Sequence, residues 1–193
     1  MINKDKLFYL RDRICNYDDE KAFEQLFLLC FSPLTRFAFS FLHSREQGEE
    51  ITSDVLLRVW NRRNKLDEIA DFRLYLYVSI RNASLNQLKK RKKRQTFSLD
   101  ETSLWLKADG STPEDAFITK EALKKVQAAI HKLPPRCRLI YKLIKEDDLK
   151  YREAAGLLQL SVKTIEAQMG IAMKRLHEAL YKVTREAQKA NEE

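Results

Sequence analysis

Between residues 81 and 94 the chain reads RNASLNQLKKRKKR, seven cations and no acid, with six of the cations consecutive from Lys89. Tyr75, Tyr77, Asn82, Asn86 and Gln87 lie just before or inside this run. Aromatic faces stack on unpaired bases, amides pair with base edges, and Lys89, Lys90 and the cations after them neutralise phosphates, so the set suits single-stranded nucleic acid. The same residues also fit a solvated helix end with both tyrosines in a core. A second set lies further on: Lys163, Ala167, Gly170 and Lys174 share one side at helical spacing, flanked by Thr164, Glu166 and Ile171. Small residues between two cations allow close approach to duplex base edges with phosphate contacts at either end. A plain helical hairpin with a solvated face is the alternative there.

Other chemistry is poorly represented. The glycines Gly48, Gly110, Gly156 and Gly170 are too dispersed for a phosphate-cradling loop. His43, His131 and His177 stand alone, and the carboxylate pairs Glu49/Glu50 and Asp147/Asp148 sit in polar surroundings where a raised pKa is not expected. Cys15, Cys30 and Cys137 have neither metal spacing nor pairing logic and read as reduced thiols. No enzyme, metal site or cofactor is therefore expected. The 36 Lys+Arg against 28 Asp+Glu give a net charge of +8, which favours a polyanionic partner, nucleic acid before a membrane surface. No apolar run approaches the ~18 residues of a membrane span and no signal peptide opens the chain, so a soluble cytoplasmic protein without membrane insertion is expected.

Four glycines and four prolines in 193 residues, with long periodic apolar runs, predict an all-α protein. Leu7, Leu10 and Ile14 recur at helical spacing in a leading segment. Asp18 or Asp19 caps a helix with Ala22, Phe23, Leu26, Phe27 and Cys30 inward, and Pro33 fits the first turn of another that buries Leu34, Phe37, Ala38 and Phe41. Gly48 precedes a third helix with Ile51, Val55, Leu56, Val59 and Trp60 inward. A polar break at 64–69 leads to a fourth, about 71–90, which ends in the basic run. Residues 95–117 hold five acids against one lysine and form a flexible acidic linker whose Leu99, Leu104, Trp105 and Leu106 are apolar enough to dock on something. Residues 118–133 and 136–145 predict two more helices around Pro134-Pro135.

Residues 149–180 then carry a helix-turn-helix. Ala154, Ala155, Leu157 and Leu158 face inward from the first helix, and Val162, Ile165, Met169, Ala172, Leu176 and Leu180 from the second. Ala155 permits a close crossing, and Ser161 can cap the second helix. Gln159 stands where the turn often carries a left-handed glycine, and Gly156 inside a helix costs roughly 1 kcal/mol against alanine.

In order along the chain, AFEQLFLLCFSPLTRFA, EEITSDVLLRVWNRRNKL, FRLYLYVSIRNASLNQLKKRK and LPPRCRLIYKLIKEDDLKYREAAGLLQLSVKTIEAQM resemble the extracytoplasmic-function (ECF) group of bacterial RNA polymerase sigma factors, in its Bacteroidetes-type branch. The resemblance spans nearly the whole chain and implies two small helical domains. Residues 1–94 would be sigma region 2, 95–117 the linker, and 118–193 sigma region 4, the helix-turn-helix domain. It implies that the protein binds core RNA polymerase, directs it to promoter DNA and assists melting. Asp54, Arg58 and Asn61 would meet polymerase. Asn64, Tyr75, Asn82, Asn86, Lys89 and Lys90 would take the melted −10 element. Ser161, Lys163, Thr164, Glu166, Ala167, Ile171 and Lys174 would face the −35 element. The family also pairs with anti-sigma factors, often membrane-bound. Asp148 and Lys150 depart from the Gly and Ser usual before the scanning helix, as do Ala154, Gly156 and Gln159 within the motif. A stand-alone helix-turn-helix regulator would account for 149–180 alone, and a helical adaptor would leave the basic run unexplained.

Overall fold

The computed structural model describes residues 4–94 and 121–190, with side chains at 5–91, 126–179 and 181. The expected linker and the side chain of Leu180 lie outside the described residues. Every regular element described is helical, and the chain divides into two compact units, Met1–Leu106 and Lys107–Glu193.

In the first unit α1 (Lys4–Tyr17) buries Leu7, Leu10 and Ile14, the expected stripe. Asp19, not Asp18, caps α2 (Glu20–Leu42): its carboxylate accepts from the Ala22 N–H at 3.0 Å. Asp18 instead takes the left-handed conformation that ends α1. The helix break expected at Pro33 does not occur. Proline in a helix interior forfeits a hydrogen bond and costs about 3 kcal/mol. The offset comes from packing, because Leu26, Cys30, Leu34, Phe37, Ala38 and Phe41 form one buried stripe on both sides of the proline. Continuity also gives α2 an 18-residue window of mean hydropathy 1.4, long and apolar enough by composition to cross a membrane although no uninterrupted apolar run in it approaches that length. Here that apolar stripe packs against α1, α3 and α4, as a core helix does.

Helix α3 (Arg45–Asn61) starts earlier than the glycine suggested. Ser44 caps it, accepting from Gln47 N–H at 3.3 Å, and Gly48 lies inside it. A Cβ on Gly48 would sit 3.3 Å from the Thr35 carbonyl oxygen, so the glycine serves the close crossing of α2 and α3. A short 3-10 turn (Arg63–Lys65) and buried Leu66 lead to α4 (Phe72–Arg94), where Asp71 accepts from Leu74 N–H at 2.9 Å. Fully buried Leu26, Leu34, Leu56, Leu66, Leu76, Tyr77 and Ile80 make the core, each contributing about 1.5–3 kcal/mol by leaving water.

In the second unit α5 is described over Glu121–His131. Pro135 itself is the first residue of α6 (Pro135–Tyr141), where its missing N–H costs nothing. A π turn (Lys142–Glu146) replaces the last turn expected of that helix. Then come α7 (Tyr151–Leu158) and α8 (Val162–Ala190), the latter ten residues longer than the expected motif required. Ala129, Ile130, Leu133 and Cys137 pack with Ala172 and Leu176, while Ile140, Ala154 and Ala155 pack with Ile165 and Met169. Tyr141 touches both groups.

Candidate nucleic-acid interface

Helix α4 turns Phe72, Leu76, Tyr77, Ile80 and Ser84 inward, which leaves Asn82, Asn86, Lys89 and Lys90 exposed. Tyr77 is wholly buried with its ring edge-on to Phe37, centroids 5.0 Å apart. Tyr75 is half-buried and its ring lies near-parallel to that of Phe72 at 6.3 Å. The structure thus separates the two tyrosines: Tyr75 borders solvent and Tyr77 is core. Tyr75, Asn82, Asn86 and Lys89 follow one side of the helix over about 21 Å, long enough for several nucleotides. Arg81 was missed from sequence. Its half-buried guanidinium donates to Asn82 Oδ1 at 3.3 Å, and burial lowers its pKa without discharging it. Only its adjacency to Asn82 could have signalled this.

The loop before α4 is held at three points. Arg63 forms an ion pair with Asp18, donates to the Trp60 carbonyl at 3.2 Å and lies 4.6 Å over the Trp60 ring. Leu66 is buried, and Arg11 Nη1 donates to the Ile69 carbonyl at 3.1 Å. Between these points Asn64, Lys65, Asp67 and Glu68 are exposed.

On α3 Asp54, Arg58 and Asn61 are exposed along one edge of the buried stripe of Ile51, Val55 and Val59. Arg58 Nε donates to the Asp54 carbonyl at 3.2 Å. Leu57, 51 % exposed, sits among them and was not singled out from sequence. Its signal was an apolar residue off the buried stripe.

In the second unit α7 and α8 meet through Ala154, Ala155, Ile165 and Met169, as the small residues required. Gln159 adopts φ 53°, ψ 46°, so the turn keeps its left-handed geometry without glycine. The Leu160 N–H closes the helix end on the Ala155 carbonyl at 2.9 Å. Asp148 likewise takes φ 54° ahead of α7, and Glu153 accepts from the Lys150 N–H at 2.8 Å in place of a serine cap. Ser161 caps α8, its Oγ accepting from Thr164 N–H at 3.0 Å and pairing with the Thr164 hydroxyl at 2.8 Å. Thr164 is half-buried by this lock, whereas Lys163, Glu166, Ala167, Gly170, Ile171 and Lys174 are exposed on α8. Behind the helix the Cys137 thiol donates to Gln168 Oε1 at 3.0 Å, and burial raises its pKa, as it does for Tyr141.

One unit thus presents an aromatic, amide-bearing basic helix and the other a capped helix-turn-helix with an exposed second helix. This is the build of a DNA-binding transcription protein. Residues 27–94 match the family model for Sigma-70 region 2, and residues 123–176 match that for Sigma-70, region 4. The chain belongs to the sigma-70 family and is of the ECF type. It is 25% identical over 160 residues to the ECF RNA polymerase sigma factor SigW of Bacillus subtilis, covering 78% of this chain and 84% of that one. To the ECF RNA polymerase sigma factor RpoE of Cereibacter sphaeroides it is 24% identical over 166 residues, 86% of this chain and 90% of that one. Its fold is similar to that of the sigma factor RpoE of Bartonella quintana, solved in complex with the anti-sigma factor NepR. The TM-score is 0.51 at 24% identity, covering 83% of this chain and 98% of that one.

Proposed function

We propose that this sigma factor binds core RNA polymerase through the exposed Asp54, Arg58 and Asn61 side of α3, takes the melted −10 element on α4 and the loop before it, and reads the −35 element with α8. The observation that carries this reading is the two sigma regions in order, 27–94 and 123–176, on one chain. A stand-alone helix-turn-helix regulator uses only the second. The domains are 1–94, a linker over 95–117, and 118–193. Its action is non-catalytic and cytoplasmic: polymerase supplies the chemistry, and the sigma factor supplies promoter choice and opening. Given the anti-sigma complex formed by its structural relative, an anti-sigma partner belongs to the same reading.

Asn64, Tyr75, Asn82 and Asn86 supply base-edge and stacking contacts, and Lys89 and Lys90 contact phosphate. On α8, Lys163 and Lys174 take phosphate, Glu166 accepts from a base amino group, Ala167 and Ile171 give apolar contact, and Ser161 with Thr164 sets the helix start. The test is capture of core polymerase followed by run-off transcription on genomic fragments. Charge reversal at both Asp54 and Arg58 is expected to weaken core binding by a few kcal/mol with little change in melting temperature. Unchanged affinity for core polymerase rejects the α3 assignment.

A further inference from the structure

We propose that α1, through Arg11 and Asp18, is a positioning element for the −10-reading loop, residues 62–71. This rests on the functional reading above, which has that loop share in taking the melted −10 element, where a base freed from its pair can be held. Helix α1 lies outside the matched region 27–94, yet it makes two ties to the loop from 45 and 58 residues away.

The first tie is the ion pair of Asp18 with Arg63. Asp18 is the left-handed residue ending α1, and Arg63 opens the 3-10 turn. The guanidinium is held on three sides: it pairs with Asp18, donates to the Trp60 carbonyl and covers the Trp60 ring, which itself packs on Phe23 with centroids 5.0 Å apart. Arg63 thus anchors the loop although it stands in a basic stretch, Arg62 to Lys65. The second tie is Arg11 on the Ile69 carbonyl, its guanidinium steadied over the Phe8 ring at 4.5 Å. With Leu66 buried between them, three anchors alternate with the exposed pairs Asn64-Lys65 and Asp67-Glu68.

A loop that reads a base extruded from duplex DNA gains from being ordered beforehand, since ordering it during binding costs affinity. Asp18 is 64% exposed, so its ion pair adds little to global stability. Its effect is local, on where Asn64 and the acidic pair point. Asp67 and Glu68 repel phosphate, but they can accept from base amino groups, which a melted strand presents.

The experiment uses holoenzyme assembled from core polymerase and the full chain, carrying Asp18→Asn, Arg11→Met or both. Asparagine tolerates the left-handed conformation and methionine keeps the aliphatic stem, so both are expected to fold. Preference is read on libraries randomised at the −10 or the −35 element, alongside core affinity. The expected result is −10 base discrimination reduced about tenfold in the double variant, with core affinity and −35 preference within about twofold of wild type. Unchanged −10 discrimination, with or without a lower melting temperature, overturns the proposal and leaves the ties as scaffold. Asn64→Ala and Asn82→Ala run in parallel. If these also leave −10 discrimination intact, the loop reading itself fails. If they abolish it while the α1 variants do not, only the positioning role fails.

Discussion

The two units solve the same packing problem with different materials. The first joins helices of 14, 23, 17 and 23 residues around large side chains, and its long α2 continues through a proline because core contacts on both sides outweigh the missing hydrogen bond. The second relies on α6 and α7, of 7 and 8 residues, packed largely through alanine, cysteine and single isoleucines. Among the described residues each unit holds two non-glycine residues left-handed, Asp18 and His43 in the first and Asp148 and Gln159 in the second, so backbone strain does not separate them. Helices this short depend on tertiary contacts for their existence. Under the proposed reading, the melted strand and the intact groove fall to a unit expected to be robust and to one expected to be marginal.

The largest expected effect tests that contrast through the cores. Leu56→Ala and Ile165→Ala both empty fully buried sites at a cost of about 2–5 kcal/mol. A unit as small as the second holds only about 3–5 kcal/mol, so Ile165→Ala is expected to erase its calorimetric transition. Leu56→Ala is expected to lower the first unit's transition but leave it visible. Equal shifts in both transitions would remove the distinction.

Nucleic-acid binding sharpens it next. Neutralising Lys89 and Lys90 is expected to impair transcription from duplex promoters and to recover on templates with a pre-melted −10 bubble, where the unstacking cost of a few kcal/mol is already met. Lys163→Ala acts on duplex DNA, so the bubble gives it no relief, and its salt dependence falls by about one unit. Run-off assays across salt separate the two, and identical rescue of both would contradict the division of labour.

Glycine substitutions carry about 1 kcal/mol and opposite signs. Gly156→Ala meets nothing within 4 Å and is expected to stabilise the second unit by about 1 kcal/mol, whereas Gly48→Ala presses on the Thr35 carbonyl and destabilises the first. Gln159→Gly is expected to stabilise as well, because the left-handed turn costs a side chain about 1–2 kcal/mol. Thermal melts of the three variants check the signs.

The smallest effect is in acid. The Ala22 amide and then Arg13 hold the Asp19 carboxyl below the usual carboxylate range. A depressed folded-state pKa means its stabilisation is complete above the unfolded value, near 4, and is lost as pH falls through the folded value. Asp19→Asn keeps a capping oxygen and is expected to flatten the first unit's stability below about pH 4. Asp19 lies in the first unit, so the substitution is expected to leave the second unit's melt unchanged.

Much of this was legible in the chain. Leu7, Leu10 and Ile14, or Ile165, Met169 and Ala172, announce their helices because burial selects apolar residues at the helical period. The exposed sides of α4 and α8, which carry the proposed contacts, were legible for the complementary reason, as polar residues on the sides left over. Pro33 misled because its cost is local and its offset comes from residues on α1, α3 and α4. Gly48 misled likewise: nothing in its own neighbourhood reveals a carbonyl on another helix. The ties from Arg11 and Asp18 could not be read, since each joins a side chain to a partner 58 or 45 residues away that only the fold brings near.

The stacking of Arg63 over Trp60 makes the chain its own optical gauge. The sequence has two tryptophans, Trp60 and Trp105. With Trp105→Phe, the remaining emission comes from an indole pressed between a phenylalanine and a guanidinium at the root of the loop. Any swing of that loop exchanges the guanidinium for solvent, shifting the wavelength and lifetime of the emitted light. Movement of the loop in the free protein can then be followed in a stopped-flow instrument without attaching a dye.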